Sequence, residues 1–427
     1  MKLKINEVFH NKELRKIFTS VIALISGNFL SIIIGMVCTL VQGRFVTAEM
    51  LGYFKQFSIL SGYLFIFHLG TYQALERMIP LFYGRGEEEK AKSYTGVAYY
   101  WIIVCSVVIS AIFLVLGTRS IILGDYKAAI CWYSQIITSV YTLVSGVLAS
   151  TYRSIKDFEK LAAANVFGAV ATLVAIPIFW FDPFWGLVLK SILNSVAIIP
   201  LLKNRPIRVR PAFSIKTFKQ LIKQGGPIFI SSYIYGTGLD TVRNTLVLAY
   251  VDQLGLGLWN FAYMFYTMVI VIPNSVVAVI NPRIIREYGQ TNSITGVIKH
   301  YKKLIVYILF GMSACAIVGG FLIVWLVPIV LPNYIDSIPI MIALLPCFVL
   351  RTMELLYTVL LAVNDMRGIN AISISSSVIQ ILFIFVMHFF VNSVYIFPLA
   401  LAVGMVVRTV MIICRIEYFK KKELVVE

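Results

Sequence analysis

The sequence predicts an all-α, polytopic integral membrane protein, with about twelve transmembrane helices in two six-helix bundles around a central cavity. Three observations carry this expectation. The 427 residues are 59% apolar and only 13% charged, with a mean hydropathy of +0.86, whereas a soluble domain is about 45–50% apolar and about 25% charged. About twelve apolar runs follow one another through short connections, each near the roughly 20 residues a helix needs to cross a bilayer. Features of the first half also recur in the second at a fixed spacing. Soluble enzymes and single-span receptors are excluded, because no stretch long enough for a soluble domain is left over.

The expected spans are 17–42, 53–81, 94–117, 128–151, 161–181, 184–202, 226–250, 256–281, 303–327, 338–363, 369–391 and 394–416. They read as helices, since a barrel shows short alternating strands instead. Ile17–Val41 follows a basic N-terminus but is too long for a signal h-region and lacks an A-x-A cleavage pattern, so it reads as a retained first span. Within it Gly27, Ser31 and Gly35 recur every four residues, a spacing that suits close helix packing. The cysteines, Cys38, Cys105, Cys131, Cys315, Cys347 and Cys414, fall in or beside apolar runs without CxxC spacing or a nearby His. They read as core residues, with neither a disulfide framework nor a metal site.

Charge orients the chain. There are 37 Lys and Arg against 20 Asp and Glu, a formal net charge of +17. With the N-terminus in the cytoplasm, basic residues favour the inner segments by about seven to one, which places both termini inside. The excess charge is a topology signal that attracts anionic inner-leaflet lipid and calls for no nucleic-acid partner.

The chain repeats itself. Val46-Thr-Ala-Glu-Met-Leu51-Gly52-Tyr-Phe54 aligns with Val251-Asp-Gln-Leu-Gly-Leu256-Gly257-Leu-Trp259 at an offset of 205 residues, and the same offset sets Tyr83-Gly84 on Tyr288-Gly289. Six helices per half is an even number, so both halves run in the same sense and the substrate site is expected between them. The division is 1–202 for the first bundle, 203–225 for a basic cytoplasmic linker carrying Pro206 and Pro211, and 226–427 for the second bundle with a short basic tail.

The stretch Arg44-Phe-Val-Thr-Ala-Glu-Met-Leu-Gly-Tyr-Phe54 after the first span resembles the start of polysaccharide flippases, the O-antigen and capsule repeat-unit transporters. These belong to the multidrug/oligosaccharidyl-lipid/polysaccharide exporter superfamily. Gly226-Pro227 opening the seventh span, Asp240 within it, Leu256-Gly-Leu-Trp259 opening the eighth and Asn281-Pro282-Arg283 closing it extend the resemblance over nearly the whole chain. The resemblance implies a protein of the bacterial cytoplasmic membrane. It would translocate an oligosaccharide on undecaprenyl diphosphate between leaflets, alongside other surface-polysaccharide assembly proteins.

Ionisable residues inside spans mark function by default. The deep ones are Glu76, Arg77, Lys190, Asp240, Arg243, Arg351, Glu354 and Arg408. The five cations alone would cost roughly 12–17 kcal/mol facing lipid, so they must pair, snorkel or face a hydrated cavity. Arg243, Arg351 and Arg408 are candidate cavity cations for diphosphate oxygens, which suit the guanidinium fork, with Arg77 and Lys55 nearer the two mouths. Asp240, Glu354 and Glu76 are candidate carboxylates for coupling to H+ or Na+; no other cofactor is expected. Asp240/Arg243 and Arg351/Glu354, spaced i,i+3 on one helix face, fit equally an internal ion bridge that locks helices together. Tyr233, Tyr235, Tyr250, Tyr263 and Tyr266 suit sugar stacking or an interfacial belt. His68 and His388 suit packing better than proton relay. The chain has no P-loop, and neither an Asp-x-Asp pair nor a long outward loop, so neither an ATP motor nor catalysis is expected. The alternatives are a multidrug exporter of small amphipathic cations in the same superfamily and, behind it, a membrane glycosyltransferase or polymerase.

Overall fold

The computed structural model describes residues 12–291 and 293–426, with side chains for all of these except 12–28, 275, 278, 279, 282, 283, 286, 422 and 424–426. Among the described residues all regular structure is helical, because lipid offers the backbone no water to bond and each span must satisfy its own groups. The packing around Gly27 and the side chains of Pro282 and Arg283 lie outside this description.

The first six expected spans appear as α1 (Lys12–Phe45), the broken helix α2 (Ala48–Leu64) and α3 (Thr71–Gly84), then α4 (Glu88–Ile122) and α5 (Tyr126–Ser154). The pairs α6 (Phe158–Thr172) with α7 (Ile176–Phe181), and α8 (Pro183–Asn194) with α9 (Ile198–Lys203), complete them. The second six are α10 (Ile215–Tyr233) with α11 (Leu239–Tyr250), α12 (Gln253–Val269) with α13 (Val271–Thr291), and α14 (Ile294–Val330). They continue through α15 (Ile338–Thr352) with α16 (Tyr357–Ala362), α17 (Met366–His388) and α18 (Ile396–Val426). The protein is thus an all-α polytopic membrane protein. Eight of these segments are long and apolar enough on composition to cross a bilayer. The other four expected spans are helical but interrupted, rich in polar residues, or only partly described at the side-chain level.

Loop residues cap the helices they introduce. Asp125, Asp182, Asp252 and Asp365 each accept a hydrogen bond from a backbone N–H in the first turn of the following helix, satisfying donors that have no intrahelical partner. Breaks have equally local causes. Leu69 and Gly70, at φ 51° and 81°, end the 3-10 turn Phe65–His68. The π turn Ile234–Gly238 contains Gly236 at φ −103°, ψ −112°, outside helical space.

Two compact units emerge from the packing. One runs through Phe45 and resumes from Leu60 to Phe229; the other joins Val46–Ile59 to the chain from Ile230 onward. The first is filled by residues such as Leu75, Ile79, Ile109, Phe113 and Leu143. In the second, one cluster centres on Leu360, Ile369 and Ile412 and another on Ile284, Val297 and Leu355.

The repeat seen in the sequence has a structural counterpart. Helices α2 and α12 begin at Ala48 and Gln253, 205 residues apart. Within the second unit the two Leu-Gly motifs lie against each other, backbone to backbone. A Cβ on Gly52 would overlap the carbonyl oxygen of Gln253, and one on Gly257 that of Ala48. These partners are themselves related by the same offset. A tight turn also recurs, three residues out of that register. Lys156 and Asn364 take φ 65° and 60°, and Asp157 N and Asp365 N bond to Tyr152 O and Leu360 O.

Two expectations about packing are corrected. Cys315 and Cys414 are exposed, unlike the four buried cysteines, because a helix in lipid can turn a thiol outward as cheaply as a small apolar side chain. At Gly35 an added Cβ would meet nothing within 4 Å among the described residues, so no close helix approach among them requires that glycine.

Candidate functional site

A cavity of about 340 Å³ opens in the second unit, lined from α10, the π turn, α11, α12 and α15 to α18. Helix breaks position its charges. Asp240 and Arg243 stand on the first turns of α11 immediately after the π turn. Glu354 sits in the 3-10 turn Met353–Leu356 between α15 and α16, one turn after Arg351. Arg408 projects from the uninterrupted helix α18.

Three arginines converge here. Arg243 is 2% exposed; its Nη2 donates to Asp240 Oδ1 at 2.6 Å, and its guanidinium lies 5.5 Å from the Tyr263 ring centroid. The Tyr263 hydroxyl donates to the same Asp240 oxygen at 3.1 Å. Arg408 lies 3.7 Å from the centroid of Tyr235 and 5.1 Å from that of Tyr357, a double cation–π arrangement. Its Nη1 donates to Ser373 Oγ at 3.0 Å, and Ser373 in turn meets Ser231 Oγ at 3.1 Å. Arg351 pairs with Glu354 through Nη1 and reaches Asn274 Oδ1 through Nη2 at 3.4 Å. Glu354 Oε1 also lies 3.8 Å from Arg408 Nε, so one carboxylate serves two guanidinium groups.

Both i,i+3 pairs therefore form as ion bridges, and the same residues line the cavity. Hydrogen-bonding capacity remains unused on these walls. Among the described residues, Arg243 Nε and Nη1, Arg351 Nε, Arg408 Nε and the Tyr235 hydroxyl are buried without hydrogen-bond partners, as are both amide atoms of Gln380. Buried donors without acceptors are costly, and apart from Gln380 the unused groups are all N–H or O–H donors. The cavity is thus chemically complementary to an acceptor-only group such as a phosphate.

The other candidates lie elsewhere. Glu76 on α3 accepts from Arg153 Nη2 at 2.6 Å and from Ser150 Oγ at 3.3 Å. Arg77 lines a different cleft, in the first unit. Lys55 stands on α2 and lines neither concavity. Lys190 donates to Gln42 Oε1 at 2.7 Å in the first unit. His68 accepts from Gly70 N at 3.2 Å and stacks on Tyr72, holding the α2–α3 break. His388 stacks on Tyr250 with centroids 3.8 Å apart. Tyr235, Tyr263 and Tyr266 line the cavity, whereas Tyr233 and Tyr250 do not. Sequence reasoning missed Gln380, Ser231, Ser373 and Tyr357. The run Ser373-Ile-Ser-Ser-Ser377, followed by Gln380 in an apolar span, is the signal that would have found Gln380 and Ser373.

Comparison with known proteins shows the family and the fold. A family model described as polysaccharide biosynthesis protein matches residues 17–287. The chain belongs to that family. This family member also has the fold of multidrug/oligosaccharidyl-lipid/polysaccharide (MOP) superfamily transporters. The inward-facing conformation of a multidrug resistance MATE family transporter of the MOP superfamily matches with a TM-score of 0.72 at 14% identity, over 94% of this chain and 99% of that one. An outward-facing conformation matches at 0.62 and 15%, covering 94% and 96%. A MATE in complex with Br-NRF matches at 0.61 and 16%, covering 95% and 96%. At such identities the likeness is one of fold. No curated protein sequence matches the chain.

Proposed function

We propose that the protein is a flippase of the bacterial cytoplasmic membrane, with both termini in the cytoplasm. It moves undecaprenyl-diphosphate-linked oligosaccharide repeat units from the cytoplasmic to the outer leaflet by alternating access, for O-antigen or capsule assembly. The observation that carries this reading is the convergence of Arg243, Arg351 and Arg408, with unused donors, on one cavity. The family match supports it. Arg forks bind phosphate oxygens bidentately, and Tyr235, Tyr263 and Tyr266 line the same cavity as aromatic surface for a sugar.

The charges suit such a cycle. Three arginines and two carboxylates give the empty cavity one formal positive charge. A diphosphate diester brings about two negative charges, so the loaded cavity moves outward with the membrane potential and the empty one returns inward with it. Over a cycle the substrate's charges release about 4.6 kcal/mol per 100 mV. Glu354 and Asp240 act as internal counterions that the diphosphate displaces. H+ or Na+ held at either carboxylate on the return adds a further driving force.

The test is flipping of a fluorescent undecaprenyl-diphosphate oligosaccharide in proteoliposomes, read with a membrane-impermeant quencher. Protein-dependent accessibility in the far leaflet supports the assignment, and equal accessibility with and without protein sinks it. A second reading is export of small amphipathic cations. It is favoured by Asp240, whose side chain is 38% exposed beside Tyr263, and by the multidrug transporters that share the fold. That reading requires cation efflux from the same vesicles and no lipid flipping.

A further inference from the structure

The first unit contains a second concavity, a cleft of about 650 Å³ that shares no residue with the arginine cavity. It forms where the end of α3, the start of α4 and the first turns of α10 meet. Its walls carry Arg77, Arg85, Lys90 and Lys216 against a single carboxylate, Glu87. That carboxylate is already committed, since Lys90 Nζ lies 2.8 Å from its Oε1. Arg77, Arg85 and Lys216 form no ion pair among the described residues. The Tyr94 hydroxyl donates to Gln220 Oε1 at the back of the cleft, which uses the amide's acceptor and leaves its NH2 as a donor. What the cleft offers is therefore an excess of positive charge and hydrogen-bond donors. Phosphate oxygens, which only accept, are the matching group.

The surroundings say how that phosphate arrives. Leu81 lines the cleft and is 41% exposed, and Ile215, directly before Lys216, is 57% exposed. A site for a free anion in water has no use for an apolar rim. Cations set beside exposed aliphatic side chains match the boundary between headgroup and acyl chain. The bias of Lys and Arg along the chain puts this end of the protein at the cytoplasmic face, where the leaflet carries anionic lipid. We propose that the cleft is a binding site for the phosphate headgroup of an anionic membrane lipid on the cytoplasmic side. The site is separate from the transport cavity and stands whether or not the flippase reading does.

The experiment is a thermal-unfolding titration of the purified full-length protein with short-chain phosphatidylglycerol, phosphatidylcholine or inorganic diphosphate. Phosphatidylglycerol should raise the unfolding temperature of the wild type at concentrations at least tenfold below those needed by R77Q/R85Q/K216Q. Phosphatidylcholine should not separate the two proteins. These three side chains are exposed and unpaired, so the variant should fold. E87Q, which removes the one acid, should respond at several-fold lower concentration than the wild type. R351Q/R408Q should respond like the wild type, which keeps this outcome distinct from any failure of transport. Equal response of wild type and R77Q/R85Q/K216Q, or none from either, overturns the site. Inorganic diphosphate acting as strongly as the lipid on R351Q/R408Q, whose transport cavity has lost two of its cations, overturns the assignment to a membrane lipid.

Discussion

Arg351 and Arg408 are tied together by one carboxylate, and this makes their substitution informative. Removing either leaves Glu354 with a single partner and takes a guanidinium fork out of the cavity. R351A and R408A should each lower flipping at least tenfold, about 1.4 kcal/mol or more, in the proteoliposome assay. Wild-type rates in both would refute a cationic transport cavity. R408K tests the fork itself. Lysine keeps the charge but loses the planar stack on Tyr235 and Tyr357, so its rate should fall well below that of the wild type. E354Q works in the opposite direction on binding. With the internal counterion neutralised, inorganic diphosphate should bind more tightly than to the wild type, measurable by calorimetry, while any dependence of transport on H+ or Na+ weakens. Of these groups, the charged ones could be read from the sequence as ionisable residues too deep to reach water. The i,i+3 spacing also pairs Glu354 with Arg351, but the contact of Glu354 with Arg408, the stacking of Tyr235 and Tyr357 on Arg408, and Ser373 depend on helices far apart in sequence, which no local pattern pairs.

At the level of elements, glycine has two different meanings in this chain. Gly52 and Gly257 allow α2 and α12 to touch through their backbones, and overpacking a tight contact typically costs about 1–3 kcal/mol. G52V or G257V should therefore lower the unfolding temperature clearly. G35A, where the added methyl meets open space, should be neutral or stabilising by up to about 1 kcal/mol. The start of α17 supplies a pH test. Asp365 caps Gly368 N and accepts from Arg415 Nε at 2.6 Å, and the hydrogen bond from Arg415, with that of Gly368, holds its carboxyl below the usual carboxylate range. A carboxylate with a lowered folded-state pKa contributes stability above its unfolded value of about 3.9 and loses it as pH falls through the folded value. The difference in unfolding temperature between wild type and D365N should be largest above about pH 5 and shrink below pH 4.

Across the whole molecule, the charge asymmetry predicts orientation. Alkaline phosphatase fused near residue 46 or 124 should be active, and fused near residue 210 inactive, because the bias of Lys and Arg assigns the loops at 46 and 124 to the outside and the basic linker to the inside. Activity at residue 210 would invert the topology and move the lipid-binding cleft to the outer face. The same asymmetry explains why a net charge of +17 is compatible with so apolar a chain. Most cations sit in loops, where they cost little.

Hydropathy, the loop distribution of Lys and Arg, and a repeat held in one register are local or periodic properties. The sequence alone therefore determined that this is a helical, multi-pass membrane protein with a repeated first and second half, and it set an expectation for orientation. Which charges meet was decided only by tertiary structure. Arg77 and Glu76 are neighbours in the chain, yet one lines a basic cleft and the other pairs with Arg153 on α5. Arg243, Arg351 and Arg408 come from three separate helices and meet in one cavity. The physical reason is that lipid exerts the same pressure on every span to be apolar. It records little in the sequence about which helix faces which, so the partners of a buried charge are set by packing between distant segments.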